Sequence, residues 1–161
     1  PSGEDEGTGG DGMSERRFEW GGLGADRGDY VTAAEALAML EVLCIAQADL
    51  EVTTALRSGA AWARFERNER WALVSTPGSR WFSVETDTGH RLQLVDANSS
   101  KDQSAQLLAA YVDIAEAYVR GDAQPARGRG WGGSILALDV NGRQVILTQP
   151  LSRRLRAMLG R

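Results

Sequence analysis

The stretch that decides the fold is Trp71-Ala-Leu-Val-Ser-Thr-Pro-Gly-Ser-Arg-Trp-Phe-Ser-Val84. Apolar residues stand on both sides of Thr76-Pro-Gly-Ser79, which has Pro then Gly at the central positions of a type II turn. Similar short runs continue outward: Trp62 and Phe65 before it, Leu92 and Leu94 after a second turn candidate, Asp87-Thr-Gly-His90. Such short spacing belongs to strands, so residues 61–96 read as an antiparallel meander of three or four strands. Trp62, Phe65, Trp71, Trp81 and Phe82 are five of the eleven aromatics and read as cross-strand core. Any exposed remainder of that set would mark a partner face.

Helical signals flank the meander. Ser100-Lys-Asp-Gln103 has capping-box spacing, and Leu108, Tyr111/Val112, Ala115 and Tyr118/Val119 recur every three or four residues up to Gly121, a helix stop. Thr32-Ala-Ala-Glu35 has the same spacing ahead of an Ala- and Leu-rich run to about Gln47, with Leu37, Leu40 and Cys44 on its apolar face. Residues 49–60 fit either a helical continuation or a short strand, because Val52, Thr53 and Thr54 prefer extended backbone. After a loop over 122–133, Ser134–Val140 and Arg143–Gln149 flank Asn141-Gly142, a strong hairpin signal. A last short helix is expected over Leu151–Leu159. The fold class is therefore α+β: an antiparallel β-sheet, meander plus C-terminal hairpin, with two main α-helices packed on it.

A chain of 161 residues with 42% hydrophobic and 25% charged side chains suits one globular domain. Residues 1–13, acidic and Gly-rich, read as a disordered tail or a cloning remnant; 14–161 read as a single α+β domain. No apolar run approaches the roughly 18–20 residues of a membrane span. A single cysteine fits a reducing compartment, so the expected location is cytoplasmic.

The net charge of −4 hides a division. Residues 1–119 carry 20 acidic and 10 basic side chains, whereas 120–161 carry 8 Arg against Asp122 and Asp139. Charge asymmetry of this kind speaks of partners rather than of fold. Within the basic part, Arg127, Arg129 and Trp131 stand in a Gly-rich segment, and Arg153, Arg154 and Arg156 follow near the end. Arg and Trp are the types enriched at binding hot spots, so these six are the candidate partner-binding residues.

Catalytic chemistry finds little purchase, and no catalytic residue is assigned. One His and one Cys cannot supply a zinc cluster, so no metal is expected, and no cofactor either. Glu85, Asp87 and Asp96 read as solvated acids rather than a cation site. Cys44, within Val42-Leu-Cys-Ile45, reads as an inert core thiol, and His90 as a solvated turn side chain. Gly128-Arg-Gly-Trp-Gly-Gly133 matches G-x-G-x-x-G, but a strand pattern follows it where a dinucleotide site needs a helix N-terminus.

Across 62–121, Trp71-x-x-Val74, Trp81-Phe-x-Val84, Leu92-x-Leu94 and a helix ending Ala115-x-x-Tyr118-x-x-Gly121 resemble small immunity proteins encoded beside secreted toxins in actinobacteria. That resemblance implies a non-catalytic inhibitor that plugs a toxin's active-site cleft. The expected function is accordingly a non-enzymatic protein-binding module, an immunity or antitoxin-type inhibitor or a secretion chaperone, whose partner is a toxin or a secretion substrate. The alternative is a nucleic-acid-binding protein using the Arg/Gly/Trp segment with Arg143. No membrane partner is expected.

Overall fold

Three two-residue turns set the register of the sheet. Ser58-Gly59 (φ 51° and 76°), Asn68-Glu69 (49° and 69°) and Asn141-Gly142 (52° and 74°) all hold both central residues in the left-handed region. The twist of such turns matches that of the strands they join. The computed structural model describes residues 30–95, 99–126 and 134–149. In it β1 (Glu51–Arg57), β2 (Ala60–Arg67), β3 (Arg70–Thr76), β4 (Trp81–Thr86) and β5 (Arg91–Val95) form a meander. With β6 (Gln124–Ala126), β7 (Ile135–Val140) and β8 (Arg143–Thr148) they make an eight-stranded antiparallel sheet, ordered β1-β2-β3-β4-β5-β8-β7-β6. The stretch 49–60 thus resolves as strand. The loop expected over 122–133 contains the short strand β6, which pairs with β7 through Gln124, Pro125 and Ala126. The last helix expected over Leu151–Leu159, the tail 1–13 and Asp96 lie outside the described residues.

Both capping boxes form. Thr32 Oγ1 accepts from the Glu35 N–H (3.2 Å) while Glu35 Oε2 accepts from the Thr32 N–H (2.9 Å), opening α1 (Ala33–Ile45). Ser100 and Gln103 repeat the exchange at the start of α2 (Lys101–Arg120), and Gly121, with φ 99°, ends it. Lys101 Nζ meets Glu35 Oε1 at 3.4 Å where both helices begin, and Arg120, at the end of α2, meets Asp49, four residues past the end of α1, at 2.9 Å. The helices therefore run parallel, side by side on one face of the sheet.

Strand alternation sends Ala61, Ala63 and Phe65 of β2, Ala72 and Val74 of β3, and Phe82 and Val84 of β4 beneath the helices, all fully buried. Leu40 of α1 and Leu108 and Ala115 of α2 close over them, with Leu138 and Leu147 extending the core under the last hairpin. Small Ala side chains on β2 and β3 leave room for the two Phe rings, both fully buried. The β3–β4 connection is pinned to the entry of α1: Val31 N–H donates to Ser79 Oγ at 2.8 Å, and Ser79 Oγ lies 3.1 Å from Ser104 Oγ. Gly78 is required there twice over, by its φ of 120° and because a Cβ would fall 2.0 Å from Val31 O. The meander and the β6–β8 unit meet through a single register pair, Arg91 with Thr148.

Candidate partner-binding face

Alternation along β2, β3 and β4 also decides what the opposite face of the sheet carries. Trp62, Arg64 and Glu66 of β2, Trp71, Leu73 and Ser75 of β3, and Trp81, Ser83 and Glu85 of β4 all point away from the helices and are half-buried. The aromatic group read as core is thus divided: the phenylalanines are inside and the tryptophans outside. The physical reason is size and polarity. A face lined by Ala61, Ala63 and Ala72 under close-packed helices takes a phenyl ring, whereas an indole keeps its N–H near water on the open side.

Two of the tryptophans are paired with guanidinium groups. Arg57 Cζ lies 5.0 Å from the Trp62 ring centroid and Arg64 Cζ 4.9 Å from that of Trp71. Such stacking contributes about 0.5–1 kcal/mol at exposed sites. Arg64 also forms an ion pair with Glu66 at 2.6 Å, and Ser75 Oγ meets Ser83 Oγ at 2.9 Å across β3 and β4. Arg57, Trp62, Arg64, Trp71, Leu73 and Ser75 line a shallow depression of about 300 Å³. The result is a rigid, strand-borne platform of indole faces and forked donors, suited to carboxylates, carbonyls and apolar side chains of a docked surface.

A second apolar feature lies between the helices. Ala38, Met39, Val42 and Leu43 of α1 and Ala105 of α2 line a groove of about 460 Å³, with Glu35 and Lys101 at one end. Val42 and Ile45 are 69% and 80% exposed.

Titratable groups elsewhere are occupied in holding the fold. His90 is 5% exposed, which corrects its reading as a solvated turn residue. Its Nδ1 lies 2.8 Å from Thr88 Oγ1, which in turn lies 3.2 Å from Tyr118 Oη. Tyr118 Oη donates to Asp87 Oδ1 at 2.8 Å, and the Trp71 N–H donates to the same oxygen at 3.3 Å. Asp87, read as merely solvated, therefore fastens the β4–β5 turn to α2. Cys44 is half-buried, and burial, aided by Glu116 and Glu41, pushes its thiol up to about 11. It stays protonated and unreactive near neutral pH. Among the described residues no three His, Cys, Asp or Glu side chains cluster to hold a metal ion. No helix among them is long and apolar enough to cross a membrane.

The six residues expected to bind a partner, Arg127, Arg129, Trp131, Arg153, Arg154 and Arg156, lie outside the described residues. Arg143 is exposed at the start of β8, beside Asn141 and Val145 at the rim of a depression facing α2. Sequence reasoning missed Arg57 and Arg64 altogether. The signal was present in strict period two: Trp62 and Arg64 share parity, and Phe65 has the other. Among the described residues, fold and face together define a helix-backed antiparallel sheet whose second side carries an aromatic and arginine platform. No protein-family model, curated protein or solved structure matches the chain.

Proposed function

We propose that the chain is a non-catalytic protein-binding module that grips its partner with the outer face of the meander. The observation that carries the reading is the emergence of Trp62, Trp71 and Trp81 opposite the helices, two of them under arginine guanidinium groups. Trp and Arg on a rigid scaffold dominate binding energy wherever they are desolvated by a partner. The acidic balance of residues 1–119 supports capture of a basic partner by complementary potential. Within this class, the immunity-protein or secretion-chaperone role is the finer proposal, acting in the cytoplasm on a toxin or secretion substrate. The half-buried thiol of Cys44 is compatible with a reducing compartment.

The test compares the full chain with a Trp62→Ala/Trp71→Ala variant whose circular dichroism matches the parent. Each is used to capture proteins from the native organism, and the captured protein is purified and titrated. A stoichiometric partner whose Kd rises about a hundredfold on removing the two indoles supports the reading. A partner held equally by both chains, or none at all, refutes it. Steeply salt-dependent binding of a single-stranded oligonucleotide by the parent chain would favour the nucleic-acid alternative instead.

A further inference from the structure

The two edges of the sheet are built differently. The β6 edge is three residues long and contains Pro125, whose missing N–H blunts it against strand addition. The β1 edge is seven residues, Glu51-Val-Thr-Thr-Ala-Leu-Arg57, all paired with β2 in one unbroken register, with no bulge, no Pro and no Lys. No described residue pairs with its outer side. Apart from the charges at its two ends, Glu51 and Arg57, β1 carries none of the devices by which proteins protect an edge.

The sequence of that edge complements itself. Placed antiparallel to a second copy and centred on Thr54, β1 sets Glu51 opposite Arg57 of the other chain, Val52 opposite Leu56, Thr53 opposite Ala55, and Thr54 opposite Thr54. Faces agree as well. Val52, Thr54 and Leu56 pair with Phe65, Ala63 and Ala61 on the helix side, so the Val52–Leu56 pairs would be apolar contacts beneath the helices. Leu56 is 49% exposed in the single chain, a large apolar side chain without sufficient cover. Glu51 and Arg57 sit on the outer side, giving two symmetry-related ion pairs at the ends of the strand.

We infer that β1 pairs with β1 of a second copy of this chain, antiparallel about Thr54, to make a two-fold dimer with one continuous sheet. This isologous arrangement satisfies both copies' edge groups with the same seven residues. Arg57 then bridges Glu51 of the other copy and its own Trp62, so the tryptophan platforms of the two chains become one extended surface. The pairing is read on the chain alone, without its partner, so it stands or falls separately from the partner-binding reading.

The experiment measures self-association of the full chain by sedimentation equilibrium, for the parent, Glu51→Arg, Arg57→Glu and the combined variant. Each single reversal puts like charges opposite at both ends and raises the dimer Kd at least about tenfold. The combined variant exchanges the partners and returns Kd to within about threefold of the parent. Within one chain the two residues are about 20 Å apart along the strand, so recovery reports contact between chains. A folded monomer up to about 1 mM, a dimer that neither reversal weakens, or a combined variant that fails to recover would each overturn the pairing.

Discussion

The guanidinium of Arg64 lies 4.9 Å from the centre of the Trp71 ring, on the side of the sheet away from both helices. One strand position further, Phe65 is fully buried on the other side. Adjacent residues of β2 thus serve two different purposes, one recognition and one packing.

Stability should separate them. Phe65→Ala removes a ring from a filled core and is expected to cost about 3–5 kcal/mol. Trp71→Ala leaves a half-buried site and loses mainly one cation–π contact, an expected cost of about 1 kcal/mol. Urea denaturation of the two variants checks this: a Trp71→Ala midpoint as low as that of Phe65→Ala would place the indole in the core.

Glu116 provides a pH-dependent handle. Burial pushes its carboxyl above the ordinary 4.5, with Asp113 and Asp49 adding repulsion that Arg120 only offsets in part. Its Oε1 is buried with no hydrogen-bond partner among the described residues. A raised folded-state value means that the stabilisation of the protonated form is complete below the unfolded carboxyl range and is lost as pH climbs through the folded value. Glu116→Gln should therefore be more stable than the parent near neutral pH, by at most about 1 kcal/mol since the carboxylate keeps some solvent contact. The advantage should vanish at about pH 3, below the ordinary carboxyl range. Thermal unfolding of both chains across that range gives the answer, and a gain that persists in acid would point to a cause other than ionisation.

Hydrogen exchange should find a boundary within the sheet. Only Arg91 and Thr148 are paired between β5 and β8, whereas β2 and β3 share seven register pairs. Amides of β7 and β8 are therefore expected to exchange by local opening well before those of β2, β3 and β4. Equal protection on both sides of the β5–β8 junction would show that α2 holds the hairpin as firmly as the meander.

Much of this architecture was legible. Both capping boxes, the stop at Gly121 and the Asn141-Gly142 hairpin depend on local chemistry, and each stands where spacing placed it. The stretch 49–60 stayed undecided because Ser58-Gly59 was not weighed as a turn; recognising it would have ended a strand at Arg57. Asn68-Glu69 is harder to see, since Glu69 adopts φ 69° against its own preference and only the flanking strands enforce it. The tryptophans were misplaced for a different reason. Aromatic content says that a ring will be covered by something, but only parity along the strand says on which side. His90 was misread because it is tied through Thr88 to Tyr118 of α2, a link across 28 positions that local pattern does not show.

Pro125 bears on how far the inferred pairing could extend. Were β1 to pair with β1 of a second copy as inferred, the outer edges left among the described strands would be the two short β6 strands with their Pro125, and a third copy could not attach by the same means. Growth through β1 would then stop at two copies.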